Sequence, residues 1–136
     1  MSKVFVDTNV FVYALDFDQP AKQRVAQKAI ESMEASGQGV TSTQVMQELY
    51  AVITRKKGIN PVLARTAVRK LENLEVVVVT PEIIAEAMDC SILGQISFWD
   101  ALIVVSAESA KCDTLWSEDL QNDCIIRGVR VENPFA

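Results

Sequence analysis

Apolar and polar positions along this chain follow two rhythms, one with the period of a strand and one with the period of a helix. Residues 3–7, "KVFVD", are apolar on both faces, as a short strand at the centre of a parallel sheet would be. From about 20 to 34, Val25, Ala26, Ala29, Ile30 and Met33 recur at helical spacing, with Pro20 near the start and Gly37 just past the end. "GVTS" (39–42) predicts a brief strand. The helix after it, over about 43–57, turns Val45, Leu49, Val52 and Ile53 inward before Gly58 stops it. Asn60 and Pro61 open the next helix, striped by Leu63, Ala67, Leu71 and Leu74. The β-branched run "EVVVVT" (75–80) predicts a buried strand, and Thr80-Pro81 caps a helix carrying Ile84, Met88 and Ile92. Ser97 starts a helix that is apolar nearly all round through "FWDALIVVSAESA". "CDTLWS" (112–117) reads as a strand, and "GVRVENPF" supplies a last one after a polar turn. Strands alternating with helices predict a three-layer α/β fold around a mainly parallel sheet. No linker, repeat or low-complexity stretch interrupts the pattern, so residues 1–136 read as one domain.

Composition narrows the chemistry. Apolar residues make up 49% of the 136, enough for a real core. The longest apolar runs, "VVVV" at 76–79 and "ALIVV" at 101–105, are far too short to span a bilayer. The first residues lack the charged and apolar regions of a signal peptide, and the expectation is a soluble cytoplasmic protein. Cys90, Cys112 and Cys124 are odd in number and irregularly spaced, which suits small hydrophobes in a reducing compartment better than a disulfide framework. Histidine is absent. That removes Ser-His and Cys-His nucleophilic catalysis, His-based acid–base chemistry and most zinc sites. A hydrolase built from this chain must rely on carboxylates.

Four carboxylates stand in unusual places. Asp7 closes the first strand, and Asp119 follows the "TLWS" strand at the same topological position, where open α/β sheets gather their binding sites. Glu48 lies on the inward face of its helix, three residues after Val45 and four before Val52. Asp100 has Phe98, Trp99, Ile103 and Val104 around it. Each has a plainer reading. Asp7 with Thr8 and Asn9 can cap a helix starting at Val10, Ser97 and Asp100 match a capping box, Asp119 can be a turn residue and Glu48 an edge residue. If the four converge, however, two like charges about 5 Å apart repel by roughly 3 kcal/mol at an effective dielectric near 20. Either some stay protonated or a cation sits among them. An all-oxygen donor set suits Mg²⁺ or Mn²⁺, and such an ion lowers the pKa of a bound water for attack on a phosphodiester. It would also bring a polyanion to a chain whose net charge is −5.

"VFVDTNVFVYALD", "TSTQVMQELYAVI", "SFWDALIVVSA" and "LWSEDLQ", in this order, resemble the motifs of PIN-domain ribonucleases, and more narrowly the toxin half of bacterial virulence-associated (VapBC-type) toxin–antitoxin pairs. The resemblance runs from the first strand to the C-terminal "NPF". It places the family's acidic positions on Asp7, Glu48, Asp100 and Asp119, and its small polar helpers on Thr8 or Asn9, on Ser117 and on Ser42. Asp123 has no counterpart in that pattern and reads as a turn residue or an extra ligand. The resemblance implies a doubly wound fold, Mg²⁺/Mn²⁺-dependent cleavage of single-stranded RNA, homodimerisation and inhibition by a co-expressed antitoxin.

Other residues leave room for alternatives. Arg55, Lys56, Lys57, Arg65, Arg69 and Lys70 could meet RNA, but cations also complement helix C-termini and exposed helix faces. Trp99 and Trp116 have apolar neighbours and are expected in the core rather than stacked on bases. A haloacid-dehalogenase-type phosphatase would want a second Asp where this chain has Asn9, and a phosphoreceiver an Asp after "VVVVTP". The stronger rival is a non-catalytic PIN-like module that binds RNA or protein, and the presence of all four acids argues against it.

Overall fold

Six strands form one sheet: β1 (Val4–Val6), β2 (Gly39–Ser42), β3 (Glu75–Val77), β4 (Thr114–Trp116), β5 (Ile125–Ile126) and β6 (Val129–Glu132). The computed structural model describes residues 2–136 and orders them β3-β2-β1-β4-β6-β5. All neighbours run parallel except β5, which pairs antiparallel with β6. The chain moves outward from β1 through β2 to β3, then returns to β4 on the other side of β1. That reversal opens a crevice beyond the carboxyl ends of β1 and β4. Both strands deliver their following residues, Asp7 and Ser117, to the same place. The backbone N–H of Asp7 donates to the Trp116 carbonyl at 3.0 Å, locking the two exits together.

Helices α1 (Thr8–Ala14), α2 (Pro20–Ser36), α3 (Thr43–Arg55) and α4 (Pro61–Arg69) pack on one another, while α5 (Pro81–Gly94) lies against α6 (Phe98–Ser109). Together they flank the sheet as the alternation of periods predicts. α6 is buried continuously from Ala101 to Ala107, and with Phe5, Val40, Leu49, Ile53, Leu115 and Val131 it makes the core. Capping follows the sequence closely. Ser42, Asn60, Thr80 and Ser97 each accept a backbone N–H at the start of α3, α4, α5 and α6, and Gly37 ends α2 at φ 70°. No single helix among the described residues is long and apolar enough to cross a membrane. Cys90 and Cys112 are buried, Cys124 is half-buried, and burial pushes the Cys112 thiol up to about 12.

Several expectations need correction. α1 is a helix of its own beginning at Thr8, because Asp7 supplies its cap. Of the stripe expected on α4, Leu71 is buried and Ala67 and Leu74 pack half-buried on the core, but Leu63 is exposed, and Ala64 and Val68 are the buried positions of the helix itself. α5 turns Ala87 and Cys90 inward and leaves Ile84, Met88 and Ile92 exposed. A helix laid on another helix rather than on the sheet favours small residues at the contact. Val25 likewise points out, and Ala26 in its place is buried. β3 stops at Val77, with Val78 exposed. The polar turn before the last strand contains β5, closed onto β6 by Arg127-Gly128, both at positive φ as a two-residue hairpin turn requires. Trp116 packs on the core, but Trp99 does not: it is 62% exposed.

One buried acid ties the loop after α1 to the end of α3. Asp16 accepts from the Lys57 ammonium at 3.0 Å and from the Asp18 backbone N–H at 3.0 Å, and the lysine holds its carboxyl below the ordinary 3.8. A carboxylate held low stabilises the fold above its unfolded value and loses that contribution as pH falls through its folded one. Lys57→Met should therefore lower the urea midpoint at neutral pH. The gap from wild type should narrow as the pH falls below the ordinary 3.8 and close once the folded Asp16 is itself protonated and no longer needs the cation.

Candidate active site

Asp7 sits in the joint between β1 and α1, where its backbone is extended and its side chain caps the helix. One carboxylate oxygen accepts from the Thr8 backbone N–H at 2.7 Å and the other from the Ser117 hydroxyl at 2.9 Å. Only 5% of Asp7 is exposed, and Ser117 is fully buried. The Ser117 oxygen also accepts the Asp119 backbone N–H at 3.2 Å, so one serine orders the loop that carries the next acid. From the first turn of α1, the Thr8 hydroxyl donates to Glu48 Oε1 at 2.8 Å, and the Asn9 amide donates to both Asp119 oxygens at 3.1 Å. Beside Asp119, Glu118 accepts from the Tyr13 hydroxyl at 3.2 Å and from the Lys22 ammonium at 3.3 Å, which pins the loop to α1 and α2. Asp100 enters from the first turn of α6, where its N–H donates to the Ser97 hydroxyl at 3.1 Å.

These segments meet around one cavity of about 260 Å³. Asp7, Glu48, Asp100 and Asp119 all line it, with Thr8 and Asn9. Among the described residues none of the four acids has a lysine or arginine partner. Of the basic residues singled out in the sequence, none lines the cavity; Lys57 pairs with Asp16 and Arg69 with Glu72, leaving Arg55, Lys56, Arg65 and Lys70 exposed and outside any ion pair among the described residues. The electrostatic consequence is direct. Burial pushes the Asp7 carboxyl up to about 6, against its two hydrogen bonds and with help from the charges of Asp119 and Glu48. Burial and the Asp100 charge also raise Asp119.

Two candidates lie elsewhere. Ser42 is fully buried and caps α3 by accepting the Val45 N–H at 3.3 Å, outside the cavity lining. Asp123 is exposed in a left-handed turn, φ 66°, and is not a lining residue either. Conversely, the structure adds residues that the sequence reading passed over. Gln44 is one helical turn before Glu48, so helical spacing alone would have placed it on the same face. It is 6% exposed, donates Nε2 to the Trp99 carbonyl at 3.2 Å and has no partner for Oε1. Trp99, Ala51, Val52 and Ile103 complete the lining as apolar surface. A second hollow, about 130 Å³ between α1, α2, α3 and α4, has Glu34 and Lys70 as its charged groups and mostly apolar walls, so carboxylate chemistry belongs to the first.

The donors suit a hard divalent cation in kind: all are oxygens, and neither His nor Cys is among them. Their spacing is looser. Among the described residues no group of three or more acids is gathered tightly enough to grip an ion. The hydrogen bonds of Thr8 to Glu48, Asn9 to Asp119 and Ser117 to Asp7 fix where each carboxylate stands.

A carboxyl raised above its unfolded value opposes folding wherever the unfolded chain would ionise it. For Asp7 that penalty is complete above about pH 6 and absent below about pH 4. Asp7→Asn should therefore stabilise the protein in chelator at neutral pH, by up to about 3 kcal/mol, measured by denaturant unfolding. The gain should vanish as the pH approaches 4.

A family model for the PIN domain matches residues 4–123. Over 74 residues the chain is 36% identical to ribonuclease VapC23 of Mycobacterium tuberculosis; the aligned stretch covers 52% of this chain and spans only 57% of that relative. The fold is similar to VapC20 of M. tuberculosis, a toxin that cleaves the sarcin–ricin loop, with TM-score 0.69, 20% identity and coverage of 86% of this chain and 90% of that one. It is also similar to a toxin–antitoxin complex from Klebsiella pneumoniae, with TM-score 0.70, 21% identity and 98% coverage of both chains. At these identities the structural likenesses establish the fold, and the domain match over most of the chain establishes the family: this protein belongs to the PIN-domain family.

Proposed function

We propose that this chain is a divalent-metal-dependent endoribonuclease that hydrolyses phosphodiester bonds of single-stranded RNA in the cytoplasm, as the toxin of a toxin–antitoxin pair. The observation that carries the reading is the convergence of Asp7, Glu48, Asp100 and Asp119 on one cavity with no protein cation to balance them. Those four carboxylates would hold Mg²⁺ or Mn²⁺. When bound, the ion supplies an acidified water and neutralises charge on the phosphoryl oxygens. The chain's own groups prepare that chemistry. Ser117 and the Thr8 N–H fix the orientation of Asp7, and Asn9 holds both oxygens of Asp119. Thr8 engages one oxygen of Glu48, leaving Oε2 to take a proton from the attacking water.

The 36% identity to ribonuclease VapC23 supports RNA as substrate, and the likeness to a toxin–antitoxin complex supports an antitoxin partner. Pairing with a second copy belongs to the same reading. Its support is the uncovered Ile84, Met88 and Ile92 of α5, four residues apart on one side of the helix, with Leu93 beside them.

Wild type with Mn²⁺ or Mg²⁺ should cut a generic single-stranded RNA, and chelation should stop it. Asp7→Asn and Asp100→Asn should each slow cleavage more than about a hundredfold, with circular dichroism unchanged. Asn9→Ala and Ser117→Ala, which only orient the acids, should cost roughly 10- to 100-fold in metal affinity or rate. Wild type that binds RNA but cuts none with either ion would make this a binding module instead.

A further inference from the structure

Hydrolysis at the acids makes no use of the apolar part of the cavity lining. There Trp99 leaves 62% of its surface exposed although it neighbours Asp100, and it shares the lining with Ala51, Val52 and Ile103. Phe98 meets the indole edge-on, with ring centroids 5.2 Å apart. Gln44 is held against the same turn. The Trp99 carbonyl can only accept, so the bond from Nε2 sets the orientation of the amide and leaves Oε1 as its acceptor end. That oxygen is buried and has no donor within the protein. An exposed ring and an apolar wall therefore stand beside a cluster of carboxylates, in a hollow of about 260 Å³ that is the scale of one small ligand.

We infer that Trp99 forms a nucleobase subsite, with Gln44 as the residue that positions it through the Trp99 carbonyl. The indole stacks on the base next to the phosphate held at the acids. Unstacked bases of single strands are bound in this way, and the π-face tolerates any base. The subsite rests on the ribonuclease reading for the identity of its ligand. It adds that the protein grips the base as well as the phosphate. It also means that an acidic chain has a source of affinity for RNA other than positive charge.

The experiment has an equilibrium arm and a kinetic arm. In a Trp116→Phe background Trp99 is the sole tryptophan, and adenosine 5′-monophosphate, which contains no phosphodiester to cleave, is titrated in Mg²⁺ while the indole fluorescence is followed. Quenching by the nucleotide, and none by ribose 5-phosphate at equal concentration, is expected; Gln44→Met, which loses the bond to the Trp99 carbonyl, should weaken the titration about fivefold. In RNA cleavage, Trp99→Ala should raise KM about tenfold or more with kcat within about twofold, and Trp99→Phe should stay within about threefold of wild type in both. Either an unchanged KM in Trp99→Ala or equal quenching by ribose 5-phosphate overturns the subsite; the indole would then be a contact for a protein. If wild type cuts no RNA, the nuclease reading falls alone, and the fluorescence comparison still decides the subsite.

Discussion

Like charge repelling like charge at the end of a parallel sheet sets the terms for the rest of this molecule. Asp7 and Asp119 arrive there because β1 and β4 are neighbours that run the same way. Glu48 and Asp100 arrive on α3 and α6, the helices that approach the same crevice. No protein cation relieves them, and burial, with the charges of Asp119 and Glu48 behind it, pushes the Asp7 carboxyl up to about 6. A fold that keeps such a cluster must hold it with groups that tolerate negative charge without neutralising it. Backbone N–H, hydroxyl and amide donors do so, and those are what Thr8, Asn9 and Ser117 provide.

The structural and the chemical readings of these residues turn out not to compete. Asp7 caps α1 and lines the cavity with the same carboxylate. Ser97 caps α6 through the N–H of Asp100, which leaves the Asp100 side chain to face the cavity. Capping places a side chain at the first turn of a helix, and the first turns of α1 and α6 open onto the crevice. A cap is therefore well placed to become part of a site. Ser42 shows the other outcome: it caps α3 just as well, but from a fully buried position outside the lining.

The acids would be unremarkable without the stiffness behind them. α6 is buried through seven consecutive residues, Ala101 to Ala107, so the turn carrying Asp100 and Trp99 is anchored in the core. The loop carrying Asp119 is anchored differently, by Ser117 below it and by the Tyr13–Lys22–Glu118 group beside it. Lys22 also lies over the Tyr13 ring, 4.5 Å from its centroid, and Phe135 packs edge-on to that ring at 4.8 Å, so the end of the chain reinforces the same corner.

Much of this was legible in the residues themselves. Caps at Asn60, Thr80 and Ser97, the stop at Gly37 and the alternation of strand and helix are local matters, governed by backbone sterics and by hydrogen bonds spanning a few positions. The odd placement of four acids among apolar neighbours was visible for the same reason. The sequence could not say which side of an amphipathic helix meets a partner, because that depends on whether a sheet or another helix lies opposite. Ile84, Met88 and Leu63 went outward and Ala87 and Ala64 inward on that account. Nor could it reveal contacts such as Ser117 to Asp7 or Asn9 to Asp119, which span 110 positions and exist only once β1 and β4 are in register. Trp99 is the clearest case: its apolar neighbours pointed to the core, and only the packing of the first turn of α6 beside Gln44 left the indole in the open.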